Sequence, residues 1–114
     1  MNDRVLLELA AKAAGVAGRF IEEIPEDGYP RYRCGIGRVG SVATMWNPLR
    51  DDGDALRLSV RLGMSVTVFD GAIGIGCRQL PDGKKYEEFP AGNDVYAATR
   101  RAITSAAAEI GRSM

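Results

Sequence analysis

The chain has 114 residues, 46% of them hydrophobic and 26% charged, which suits one soluble domain with a single core. Its 15 Lys and Arg balance its 15 Asp and Glu, which argues against a protein that coats DNA or RNA, since that function carries a basic excess. Histidine is absent, and with it go His-based acid–base catalysis, Ser-His and Cys-His nucleophiles and every His-containing zinc site.

A first helix is expected over about 3–14. Leu6, Leu9, Ala10 and Ala13 would form its apolar face, Arg4, Glu8 and Lys12 would line the opposite side, and Gly15 and Gly18 would end it. Its mixed charges and amphipathic pattern lack the uniform apolar stretch of a signal peptide. No run approaches the roughly 18 apolar residues of a membrane span. A short strand over 19–24, anchored by Phe20, leads to a turn at Pro25-Glu26-Asp27-Gly28-Tyr29-Pro30. A strand over 31–36 and a second over about 39–46 follow, joined by a glycine turn at 37–40.

Pro48 fixes its own φ and disfavours helical geometry at Asn47, so the second of these strands ends near Trp46. Asp51 or Asp52 then caps a central helix, and Asp54 adds negative charge to its first turn. Ala55, Leu58 and Leu62 share one face with Leu56 and Val60 beside them, and Gly63 stops the helix. A strand over 64–69 meets its return, 72–80, through Asp70-Gly71, a dipeptide that favours a type I′ hairpin. Ile73, Ile75 and Cys77 point one way along the return strand. Residues 84–89 suit a charged sheet edge. The last helix, capped by Asn93 or Asp94, carries a stripe of Val95, Ala98, Ala102, Ile103, Ala106 and Ile110. Such small residues predict close docking on a sheet face lined by Gly35, Gly37, Gly74 and Gly76. Cys34 and Cys77 stand far apart without a CxxC partner and read as buried thiols.

Three patterns suggest chemistry. Gly35-Ile36-Gly37-Arg38-Val39-Gly40 matches a dinucleotide fingerprint, but β-branched residues and Pro48 follow where a helix is required, so it reads as a hairpin turn. Asp51-Asp52-Gly53-Asp54 gathers three carboxylates, yet the closing glutamate of an EF-hand is replaced by Leu62, so helix capping explains it better. Gly83-Lys84 lacks both the upstream glycine and the following hydroxyl of a P-loop. Arg31, Arg33 and Arg38 offer planar forks suited to carboxylates or phosphates, although the balanced charge suits solvated surface arginines. Trp46 beside Asn47 offers a stacking platform or a core anchor.

The helix opening Asp3 to Gly15, the run Trp46 to Leu58 and the closing run Tyr96 to Ile103 together resemble the phage ABA-sandwich domain, a family of small proteins encoded by phages and prophages. The resemblance covers nearly the whole chain, with 18–44 and the loop around Asp82 as its freer parts. It implies a helix–sheet–helix layering and a place inside an infected bacterium, and it implies no activity. The resulting expectation is one α+β domain over 1–114. It is a three-layer α/β/α sandwich with a mainly antiparallel sheet of about four to six strands and helices at about 3–14, 52–62 and 94–110. The expected function is that of a non-enzymatic phage accessory protein in the bacterial cytoplasm. It would bind a host or phage protein, or a second copy of itself, without cofactor, metal or membrane. Its candidate binding residues are Trp46, Asn47, Asp51, Asp52, Asp54, Arg31, Arg33 and Arg38. The alternatives are a small ligand- or metal-binding enzyme built on the Asp51/Asp52/Asp54 corner, and nucleic-acid binding through the surface arginines.

Overall fold

The computed structural model describes residues 1–23, 33–37 and 45–114. Helix α1 (Asp3–Ala14) begins where the Asn2 side chain accepts the Val5 N–H, and it ends at Gly15, whose φ of 69° favours glycine. Strands β1 (Arg19–Glu23) and β2 (Arg33–Gly37) pair antiparallel with Phe20 opposite Ile36. One further rung joins Ile36 to Trp46. Helix α2 (Asp52–Arg61) is capped by Asp51 and followed by Gly63 at φ 67°. Strands β3 (Ser65–Phe69), β4 (Ala72–Gly76) and β5 (Tyr86–Pro90) form a second antiparallel sheet in that order. Helix α3 (Val95–Arg112) opens on Asp94, whose carboxylate accepts the N–H groups of Tyr96 and Ala97.

Among the described residues, three helices and antiparallel pairing are as the sequence leads one to expect. The described strands divide between a two-stranded and a three-stranded sheet, in place of one expected sheet. The expected turn at 25–30 and most of the expected strand over 39–46 lie outside the described residues. The hairpin at 70–71 is not type I′. That turn needs positive φ at both central residues, and only Gly71 has it, at 81°. The Gly71 carbonyl is also tied to the N–H of Ala91 just beyond β5.

α3 is the spine of the molecule. Ile73 and Ile75 of β4 are fully buried in one cluster with Leu58 of α2, Leu62 just after it, and Ala102, Ile103, Ala106 and Ile110 of α3. A smaller cluster joins Leu7 and Ala11 of α1 to Ile36, with Phe20, Trp46 and Leu49 against it. α1 therefore packs on two sides, which shifts its buried set to Leu6, Leu7, Ala10, Ala11 and Ala14. The expected Leu9 and Ala13 are only half-buried.

The expected docking of small residues on glycines is also corrected. Gly74 lies under the Tyr86 hydroxyl and the Phe69 ring, and Gly76 under the Ser65 side chain, on the sheet face away from Ile73 and Ile75. The small residues of α3 instead serve α1. Arg101 meets Asp3 at 3.0 Å and Lys12 donates to the Met114 carbonyl at 3.1 Å, so the two helices run parallel. Between these ends the Gly111 backbone lies directly against the Leu9 carbonyl. The two glycine-rich tetrapeptides Cys34–Gly37 and Gly74–Cys77 fall in different sheets.

Candidate functional site

The corner from Trp46 to Asp54 is held by hydrogen bonds that its own sequence explains. Ile36 and Trp46 exchange two backbone bonds, each 2.8 Å. In an antiparallel ladder the next such pair would be Cys34 with Pro48. Pro48 has no N–H, so the Asn47 side chain supplies the missing rung and donates to the Cys34 carbonyl at 2.8 Å. Its Oδ1 accepts the Leu49 N–H at 3.0 Å, and its own N–H is accepted by Asp54 at 3.0 Å. Asn47 is buried, and Trp46 is half-buried between the two apolar clusters.

The three carboxylates are all engaged, and Arg57 lies within 4.0 Å of Asp51 as well as beside Asp54. Asp51 accepts the Asp54 N–H at 2.8 Å, Asp54 pairs with Arg57 at 2.8 Å, and Asp52 pairs with Arg100 at 2.8 Å. Arg100 also donates to the Leu49 carbonyl at 3.0 Å, so α3 clamps the corner from outside. The described residues contain no group of three or more Cys, Asp or Glu placed to hold a metal ion. Among the named arginines, Arg33 lies in β2, while Arg31 and Arg38 lie outside the described residues. The structure thus joins Asn47, Asp51 and Asp54 as architecture and places Asp52 at the edge of a groove.

That groove, of about 400 Å³, lies between α2, β3 and the first half of α3. Ala55, Ser59, Val66 and Ile103 form part of its lining, Leu56, Val68, Val95 and Tyr96 stand at it exposed, and Asp52, Thr99 and Arg100 complete it. Tyr96 is 73% exposed and Leu56 64%. The sequence carries a signal for it: Leu56 widens the apolar face of α2 beyond what the core needs, and Val95 extends the stripe of α3 beyond its buried residues.

At the other end of α3 two carboxyls meet. The Glu109 carboxyl lies against Glu87 of β5, and the Oε2 atoms of both are buried without a partner among the described residues. Burial first, then the hydrogen bond and negative charge of Glu87, push the Glu109 carboxyl up to about 7, against the opposing pull of Lys84 and Arg112. A proton on Glu109 makes it a donor to Glu87 and leaves one charge where there were two. Because the folded state holds that proton more tightly than the unfolded chain, its contribution is complete below the ordinary carboxyl range and is lost as pH rises through about 7. Glu109→Gln should abolish this part of the pH dependence and leave the variant more stable than the native chain at alkaline pH. Urea midpoints measured across the acid and neutral range check it; an unchanged slope would show that the pair does not share a proton.

No described helix is long and apolar enough to cross a membrane. No family model matches the chain, and neither a curated protein nor a solved structure matches it.

Proposed function

We propose that the chain is a non-enzymatic phage accessory protein of the bacterial cytoplasm that acts by binding a host or phage protein. The groove between α2, β3 and α3 carries this reading. Tyrosine and arginine beside an apolar recess are the residue types on which protein–protein affinity concentrates. The occupant proposed is an apolar anchor side chain of the partner, entering beside Leu56 and Tyr96, with polar backbone near Asp52 and Arg100. Two further observations support binding over catalysis. The sequence has no histidine, and the carboxylates of the Asp51–Asp54 corner are occupied with capping and ion pairs. Arg57, Arg100 and Arg101 each face a carboxylate, which weakens the case for nucleic acid. The three-layer α/β/α sandwich belongs to the same proposal, supported by α3 on β4 and β5 and by α1 on β1 and β2.

The test compares proteins retained from bacterial lysate by the native chain, by Tyr96→Ala and by Arg4→Ala, the last lying on α1 away from the groove. One protein should be retained by the native chain and by Arg4→Ala, and at least about tenfold less by Tyr96→Ala. Equal retention by all three would overturn the reading.

A further inference from the structure

The three-stranded sheet ends on two unlike edges. β5 carries Glu87, Glu88 and Pro90 and follows Lys84 and Lys85. Charge and proline are what keep a sheet edge from pairing with another chain. β3, at the opposite edge, reads Ser65-Val66-Thr67-Val68-Phe69, with no charge, no proline and an unbroken register on β4.

The register fixes which groups that edge presents. β3 meets β4 through a two-residue hairpin with Phe69 opposite Ala72. Alternation directs the backbone N–H and C=O of Phe69, Thr67 and Ser65 toward β4 and those of Val66 and Val68 away from it. Among the described residues, no strand other than β4 pairs with β3. α2 leads into this strand through a short turn, where the Met64 N–H donates to the Ser59 carbonyl at 2.8 Å, and Val66 and Val68 share a groove with Ala55, Leu56 and Ser59 of α2. Leu56 and Val60 stand one turn apart on α2 and are 64% and 72% exposed. Arg57 between them is drawn to Asp54, and Arg61 reaches toward Gly15.

We infer that β3 pairs antiparallel with β3 of a second copy about a twofold axis at Thr67, joining two three-stranded sheets into one of six strands. Val66 of one copy and Val68 of the other exchange both backbone hydrogen bonds, and the symmetric pair does the same. Thr67 meets its own copy on the opposite face of the sheet, where a threonine pair is favourable. Under the same axis the two α2 helices are antiparallel to each other, and Leu56 and Val60 meet Val60 and Leu56 of the partner. A twofold copy satisfies the strand edge and the apolar helix strip together. An isolated extended peptide would satisfy the strand edge alone and leave Leu56 and Val60 in water. This inference goes beyond the proposed function: it stands on the β3 edge and shares Leu56, Val66 and Val68 with the groove, and it is read from oligomeric state, whereas the proposed function is read from partner retention.

Sedimentation of the full chain over a concentration series tests it, with Thr67→Lys, Thr67→Glu and Val60→Lys as variants. Thr67 is exposed and does not line the groove, so the first two leave fold and groove untouched, which circular dichroism checks. The native chain should dimerise at or below about 100 µM. Each charged variant alone should dimerise at least roughly 100-fold more weakly: the Thr67 variants set like charges against each other across the axis, and Val60→Lys sets a charge against the apolar Leu56 of the partner. An equal mixture of Thr67→Lys and Thr67→Glu should recover the dimer. A native chain that stays monomeric, a dimer indifferent to Thr67→Lys, or a mixture that does not reassemble would each overturn the proposal.

Discussion

Gly111→Ala should destabilise the protein by about 2–3 kcal/mol, even though alanine is the better helix former by about 1 kcal/mol. At an exposed helical position the propensity gain alone would decide the sign. Here an added Cβ would strike the carbonyl of Leu9, beside its bond to the Ala13 N–H. The obstacle is backbone, so no rotamer change on α1 relieves it. α1 and α3 must separate, and the buried alanines on both lose contact: Ala10 and Ala14 on one helix, Ala106 and Ala107 on the other. The loss is a large share of the roughly 5–15 kcal/mol available to a domain. It should appear as a lower urea midpoint with an unchanged slope. A variant as stable as the native chain, or more so, would show that the two helices do not approach this closely.

Much of the fold was legible because local signals and tertiary packing agreed. Asp51 and Asp94 cap helices as their residue types suggest, and Gly15 and Gly63 end them with positive φ. The alternation that runs through β4 buries Ile73 and Ile75, and Cys77 just beyond the strand joins them, as the period of a strand requires. What was not legible depends on which element packs on which. The face of α1 could not be fixed from its own period, because burial against both α3 and Ile36 turns two stripes inward. The alanines of α3 could be recognised as a close-packing surface, but not which neighbour they serve. Glycines on the strands were the obvious complement, and a parallel helix with its own alanines is the actual one. Nothing in sequence order announces that Glu87 and Glu109 meet, since each looks like a surface carboxylate on its own element. The groove was hidden for a related reason: Leu56, Val68 and Tyr96 are unremarkable singly, and only the folded chain brings them together.

The corner around Asn47 separates architecture from a binding site by measurement. Asn47→Ala removes the donor to the Cys34 carbonyl and the acceptor of the Leu49 N–H. Two part-buried backbone groups are left unpaired, for a loss of about 2 kcal/mol. Asn47→Asp should be worse than alanine at neutral pH, by about a further 1 kcal/mol or more. It places a carboxylate oxygen against the Cys34 carbonyl, with Asp54 already holding the backbone N–H of the same residue. Protonation turns that aspartate back into a donor of nearly the same shape as the amide. The two variants should therefore converge as pH falls toward the carboxyl range, and their order should reverse below it. Urea denaturation of both variants at neutral and acid pH reads this directly. If either substitution left stability near the native value, Asn47 would not be the rung that Pro48 cannot provide, and its polar side chain would be free to serve a ligand. The expected result is the opposite: the asparagine is consumed by the turn it makes possible.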